Sequence, residues 1–303
     1  MGSVFVKILC MLAIMAIGYF IKRIGLVKQS DFHSISNIII YVTVPASVLI
    51  NFNGFKLDPS MLMISVLAIV FFFIASGLSL RLTRSQPKEE RAFVLLNSTA
   101  YNTGAFTLAF IQALLPPACA VTVTVFDIGN CSTTAVFCYM LASMVLEGKT
   151  HVTPRYVIRR LTHSFVFMVY MTVTVVGLLE IPIPRFLLAP AELIAPANVF
   201  LAMLAVGIGM EINMERSELR TLLKCLGVRY AMAVPLALVS WFLLPFDENV
   251  RLAMVLVSFS PSTLFGALYT AALGGNYPLA NTVISVSIMI STAIMTLLVM
   301  LLG

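Results

Sequence analysis

Charge is what this chain has least of. Only 11% of its 303 residues are charged, against 60% hydrophobic and a mean hydropathy of +1.02; a soluble domain carries about 25% charged residues. That excludes a soluble globular protein and places the chain in a bilayer. Histidine is scarce too. His33, His151 and His163 lie at the ends of apolar runs or between them, and no two have metal-ligand spacing. The five cysteines (Cys10, Cys119, Cys131, Cys138, Cys225) are odd in number and form no CxxC. They read as small core residues, without a disulfide framework or a metal site. HExxH, GxSxG, the P-loop and the dinucleotide fingerprint are all missing. We therefore expect no enzyme, no ATP-driven pump and no cofactor.

Long apolar runs are what the chain does have. Crossing a bilayer core takes about 20 apolar residues. Ten runs approach that length, at roughly 4–21, 32–52, 61–80, 92–113, 118–146, 161–180, 191–210, 223–244, 251–273 and 278–302. They are too long for barrel strands, so all ten are expected as helices. Sliding the chain by 160 residues lays Arg91 on Arg251, Tyr101-Asn102 on Pro261-Ser262 and Ala118 on Pro278. Five spans per copy is an odd number, so the second copy enters the membrane from the opposite side. The fold class expected is an all-α membrane protein of ten transmembrane helices in two inverted five-helix repeats, residues 1–146 and 161–303. A basic loop at 147–160, too short to fold by itself, joins them. Inverted repeats of this kind are an architecture of secondary transporters. A cleaved leader is not expected, because removing the first span would destroy the repeat. Pro190, in the loop before span seven, is expected to punctuate that loop and end a helix.

The net charge of +6 follows from topology. Basic residues gather in alternate loops: Lys22, Arg23 and Lys28; Arg81, Arg84, Lys88 and Arg91; Lys149, Arg155, Arg159 and Arg160; Arg216, Arg220 and Lys224. By the positive-inside rule these loops are cytoplasmic, with both termini outside the plasma membrane. Nucleic acid is not an expected partner. The partners expected are a small organic anion, membrane lipid and, at most, a second copy of the chain.

Spans four and nine differ from the rest. Span four contains Asn97-Ser98-Thr99-Ala100-Tyr101-Asn102-Thr103-Gly104, and span nine Ser258-Phe259-Ser260-Pro261-Ser262-Thr263. Each puts polar, helix-weakening residues near mid-span. Pro261 has no N–H to give, and Gly104 lowers helix propensity. Non-helical backbone at that depth is tolerated only when buried in protein or lining a cavity. Since the two clusters are repeat-equivalent, we expect both helices to break and cross, presenting half-helix N-termini to an anion. The plainer alternative is a proline kink in span nine and polar helix–helix contacts in span four. Asp127, with Asn130 and Thr134 on the same helical face, is a carboxylate inside span five. It is either a proton or cation site or a buried side chain satisfied by nearby hydroxyls; its repeat partner is Ser287. Ser47, with Asn37, Thr43, Pro45 and Asn51, gives span two a weaker polar signal.

These residues resemble a known family. Val42-Thr43-Val44-Pro45-Ala46, Asn102-Thr103-Gly104, Phe126-Asp127-Ile128-Gly129-Asn130 and Ser260-Pro261-Ser262 are similar, in order and spacing, to segments of the auxin efflux carrier family. That family includes plant PIN transporters and short bacterial permeases. The resemblance implies a fold like that of bile-acid sodium symporters. Spans one, two, six and seven would be the scaffold, and spans three to five and eight to ten the moving domain. It also implies carboxylate substrates. Where the family motif in span four continues with Gly and Pro, this chain has Thr107 and Ala109.

The function expected is secondary transport of a small carboxylate, auxin-like or dicarboxylic, by elevator-type alternating access, with export driven by membrane potential or a proton gradient. Substrate contacts are expected from Ser47, Ser98, Asn102, Thr103, Asn130, Thr134, Ser260, Pro261, Ser262 and Thr263, and coupling from Asp127. The reading assigns no Lys or Arg to mid-membrane near these clusters, which leaves binding to helix ends and amides. The rivals are a sodium-coupled organic-anion symporter and a ligand-sensing membrane module; a sensor would be expected to carry a soluble output domain.

Overall fold

The computed structural model describes residues 2–148 and 153–302, and among them it is helical without strands. Sixteen α-helices follow in order: α1 (Gly2–Arg23), α2 (Asp31–Ile38), α3 (Val44–Phe52), α4 (Leu62–Leu82), α5 (Lys88–Ser98), α6 (Leu108–Leu114), α7 (Pro117–Thr133), α8 (Tyr139–Glu147), α9 (Pro154–Thr162), α10 (Phe165–Leu178), α11 (Arg185–Ile194), α12 (Ala197–Gly209), α13 (Leu219–Phe242), α14 (Glu248–Ser258), α15 (Leu264–Ala272) and α16 (Tyr277–Leu302). Three five-residue π-helical turns, Ile39–Thr43, Thr103–Thr107 and Thr134–Cys138, join α2 to α3, lead into α6, and join α7 to α8.

Among the described residues, six helical segments are long and apolar enough to cross a membrane, or eight if each bent pair is one span. The bent pairs are α9–α10, turned by 85°, and α11–α12, turned by 43°. Lipid is the medium the outer surface calls for. Phe20, Phe186, Leu193 and Leu301 are more than half exposed, which water would penalise across so much of a surface.

Two sequence expectations need correction here. The 147–160 stretch is not a simple loop, since α9 begins in it at Pro154, runs on to Thr162 and lies nearly perpendicular to α10. Its start is set by Thr153, whose hydroxyl accepts from Tyr156 N at 3.2 Å, and by Pro154 at the first helical position. Lys149 and His151 fall outside the described residues. Pro190 does not punctuate a loop either, because it lies inside α11. As the sixth residue of that helix it forfeits a single backbone hydrogen bond, and the bend comes later, where Ala195 and Pro196 separate α11 from α12.

The helices pack as two groups. In one, α1 lies along α12, α3 packs on α10 and α11, and α2 on α12. In the other, α4 lies along α7, α5 against α8, α13 and α15, and α14 against α7 and α13, with α16 beside α15. The groups meet where α7 touches α3 and α10, and where α6 touches α12.

The α1–α12 contact depends on missing side chains. A Cβ on Gly207 would stand 2.0 Å from Met15 O, and one on Gly18 would stand 2.4 Å from Leu204 O. Small residues let the two backbones approach to this distance, the usual basis of close packing in lipid. Gly207→Ala should therefore destabilise the fold by about 1–3 kcal/mol, the usual cost of overpacking. Gly77→Ala, where a Cβ meets nothing within 4 Å, should leave thermal unfolding in detergent unchanged or slightly raised. Equal melting temperatures for the two variants would remove the close-contact account.

Candidate functional site

Helix α5 ends because its last residues turn back on it. Asn97 Nδ2 donates to Phe93 O at 2.9 Å, Ser98 Oγ to Val94 O at 2.6 Å and Thr99 Oγ1 to Leu95 O at 2.9 Å. Such bonds to the preceding turn compete with helix continuation. In the other broken segment, Ser258 Oγ does the same to Met254 O at 2.8 Å, and Pro261 then removes a donor. The chain is non-helical around Tyr101 and Asn102, and again from Ser260 to Thr263.

These two interruptions meet. Tyr101 and Ser262 form an antiparallel bridge, and Asn102 N donates to Pro261 O at 2.9 Å. Thr107 Oγ1 donates to Ser260 Oγ at 2.6 Å, and Ser262 Oγ to Asn97 O at 2.8 Å. Each interruption also has a side-chain brace. Asn130 pairs with Tyr101 as a strand would: its Oδ1 accepts from Tyr101 N at 2.9 Å and its Nδ2 donates to Tyr101 O at 2.9 Å. Ser287, the repeat partner of Asp127, accepts from Ser262 N at 3.0 Å.

Beneath the meeting point lies Arg229 of α13, which is 2% exposed. Its guanidinium donates to Ser260 O through Nε at 2.9 Å and Nη2 at 2.6 Å. Through Nη1 it donates to Ala100 O at 2.7 Å and Ser98 O at 3.3 Å. Its carbon lies 4.1 Å from the centroid of the Tyr101 ring. Helices α5 and α14 both direct their C-terminal, negative dipole ends here, and one planar cation takes the carbonyls of both. The sequence expectation of no mid-membrane cation is thus overturned. The signal was available, since an arginine seven residues inside the apolar run 223–244 is costly unless partnered.

Asp127 lies on the other side of Tyr101, 2% exposed. Its Oδ1 accepts from Thr103 Oγ1 and, at 2.8 Å, from Asn130 Nδ2. Its Oδ2 faces Gly104, where a Cβ would stand 3.1 Å from it and 3.0 Å from the Tyr170 hydroxyl. Tyr170, from α10, is fully buried, and its hydroxyl has no hydrogen-bond partner; Thr134 Oγ1 has none either.

A cavity of about 460 Å³ runs from Gln29, His33, Arg160 and His163 inward to Tyr101, Asn102, Asp127 and Thr263. Among the expected site residues, Asn102, Thr103, Asn130, Thr134, Thr263 and Asp127 line it. All three π-helical turns contribute to its wall, in keeping with the tendency of such turns to occur at functional positions. Ser98, Ser260, Pro261 and Ser262 do not line it; they form the interlaced backbone behind it. Ser47 lies elsewhere. Its hydroxyl donates to Ala195 O at 3.2 Å, beside a second, smaller pocket of about 210 Å³ lined also by Asn51 and Gln112. Asn198, wholly buried, bridges the helices near this pocket: its Oδ1 accepts from Thr43 Oγ1 and its Nδ2 donates to Gln112 Oε1, both at 2.9 Å. Tyr170, Asn198 and Gln112 escaped sequence reasoning because nothing local sets one buried tyrosine or amide apart from another.

A membrane-embedded helical bundle with two interlaced helix breaks at the end of a cavity belongs to the class of membrane transport proteins. The chain is a member of the membrane transport protein family, that of the auxin efflux carriers, whose model matches residues 3–168. The match spans more than half of the chain and includes Asn102, Asp127 and Asn130. No curated protein matches the chain.

Arg229→Met should lower stability by about 3 kcal/mol or more, because it leaves three buried carbonyls unpaired at about 1–3 kcal/mol each. Arg229→Lys should recover only part, since an ammonium lacks the planar fork. Unfolding in detergent measures both, and an unchanged melting curve for Arg229→Met would show that the breaks do not depend on it.

Proposed function

We propose that the chain is a secondary transporter of a small organic anion, a mono- or dicarboxylate, working by alternating access. The observation that carries this reading is the cavity that ends on two interlaced helix breaks held from behind by Arg229. At about 460 Å³ it falls within the usual range for small-molecule sites, about 300–1,000 Å³. The first residues of the Thr103–Leu114 and α15 helical stretches, Thr103, Gly104, Leu264 and Phe265, are part of its wall. Their N-terminal dipole ends favour negative charge, and Arg229 takes up the opposite, C-terminal ends. Asn102 has no side-chain capping bond, so its amide is left for a ligand, with the Thr134 and Thr263 hydroxyls beside it. Asn130 serves by bracing Tyr101.

In this reading the broken segments α5–α6 and α14–α15 are membrane spans four and nine, which completes ten spans in two inverted repeats. The group containing α1, α3, α10 and α12 is the scaffold, and the group containing α4–α8 and α13–α16 is the part that moves. The cavity mouth shares its end of the molecule with Lys28, Arg155 and Arg159, so by the positive-inside rule it opens to the cytoplasm. Arg160 and His163 at the mouth favour an incoming anion. Export of one negative charge down an inside-negative potential gains about 2.3 kcal/mol per 100 mV, with Asp127 available to carry a proton.

Proteoliposomes loaded with radiolabelled indole-3-acetate, malate or malonate supply the test. Flux of at least one should depend on the protein, and Asn102→Ala should reduce it about tenfold or more. Absence of flux for every carboxylate, or full flux in Asn102→Ala, would overturn the reading. Asp127→Asn should abolish any pH dependence of that flux; a retained pH profile would exclude Asp127 as the proton carrier.

A further inference from the structure

From the Asp127–Gly104–Tyr170 arrangement we infer that Tyr170 is the positioning residue through which the protonation state of Asp127 sets the balance between the two orientations of the transporter. The inference rests on the alternating-access reading above and adds a residue that the sequence did not indicate.

The geometry is specific. Asp127 is on α7, in the group of helices proposed above to move, and Tyr170 is on α10, in the group proposed as scaffold. These two helices pack directly on each other, so the pair straddles the boundary between the groups. Tyr170 is fully buried, yet its hydroxyl has no partner. Asp127 Oδ1 is occupied by Thr103 and Asn130, while Oδ2 has no such bond. Both the free hydroxyl and the free carboxylate oxygen border the space left by the missing side chain of Gly104. A buried phenol without a partner is expensive, and this carboxylate is an acceptor that borders the same space from across the boundary.

The other groups around Asp127 leave it the titrating member. Cys131, one turn along α7, lines the same cavity. Thr103 comes from the broken segment, and Ser65 and Ala68 of α4 approach the backbone of α7 at Gly129. Arg229 is engaged by carbonyls on the far side of Tyr101. His33, Arg160 and His163 line the same cavity at its mouth.

Chemistry fixes the sign. An ionised Asp127 accepts a charge-assisted bond from the tyrosine, roughly twice as strong as a neutral one. Deprotonation thus ties the moving group to the scaffold in the orientation seen here. Protonation weakens the tie and frees the moving group. A proton taken up at this point is exchanged for a contact across the sliding surface, which is how binding at one residue becomes movement of a domain.

The test uses the full chain in lipid nanodiscs, with Cys10, the exposed thiol, replaced by serine. Spin labels at Leu26 and Ser85, exposed positions on the two groups, report the separation of the groups from pH 5 to pH 8. In the otherwise native chain, the ratio of the orientation described here to its alternative should rise about tenfold with pH. Tyr170→Phe should remove that rise while leaving the melting temperature at low pH unchanged. Asp127→Asn should remove it too, and combining the two should add nothing. A Tyr170→Phe profile that keeps the native pH response would overturn the inference, as would a native chain without any response. If carboxylate flux persists without a distance response, the inference fails and the transport reading stands. If distances respond as described and no carboxylate moves, the inference stands and the substrate reading fails.

Discussion

Unpaired backbone in the middle of a membrane is the constraint on which the rest of this structure depends. A helix satisfies its own carbonyls and amides, and breaking one in hydrocarbon leaves several without partners. This chain breaks two and solves both problems at one place. The extended pieces pair with each other through Asn102 and Pro261, Asn130 supplies a strand-like partner to Tyr101, and Arg229 gathers the carbonyls at the ends of α5 and α14. A single guanidinium suits that task because it is planar, permanently charged and offers five donors. No carboxylate balances it among the described residues; peptide dipoles from two converging helices do.

Charge is therefore divided between the two sides of Tyr101. Arg229 is behind the breaks, outside the cavity, and Asp127 is in its wall. The permanent charge holds the backbone breaks together, and the titratable one faces the cavity. Neither has a charged counterpart in the repeat, since offset 160 sets Ser287 against Asp127 and Ile69 against Arg229. Strict symmetry would not place one cation and one carboxylate in one small volume.

How much of this was legible in the sequence can be argued from particular elements. The breaks were legible because Pro261 and the run Asn97 to Gly104 weaken a helix locally. The 160-residue offset sets the two polar clusters against each other, and the structure bridges them at Tyr101 and Ser262. The turn of α9 was not, because a short amphipathic helix next to an apolar run resembles a basic loop. Pro190 misled, since proline in an early helical turn forfeits little. Arg229 is visible in the sequence as a lone cation inside the apolar run 223–244, but its partners are backbone carbonyls, which carry no sequence signal. Ser98, Ser260 and Ser262 were assigned to a ligand and serve the backbone, because a polar residue near a break has two possible partners and sequence does not order them. Tyr170 had no local signal; its role depends on which helix it faces.

The hydrogen-bonded bridge of Thr43, Asn198 and Gln112 has an electrical consequence. The large cavity reaches deep from one face, the smaller pocket opens elsewhere, and this bridge lies beside the smaller pocket. On the transport reading the two openings face opposite compartments; water and ions in them then carry each compartment's potential inward, and the voltage falls chiefly over the layer between them. A field concentrated in so thin a layer acts on a charge over a short path. On the same reading, a displacement much smaller than the membrane's thickness is enough to carry the proposed anion through most of the potential.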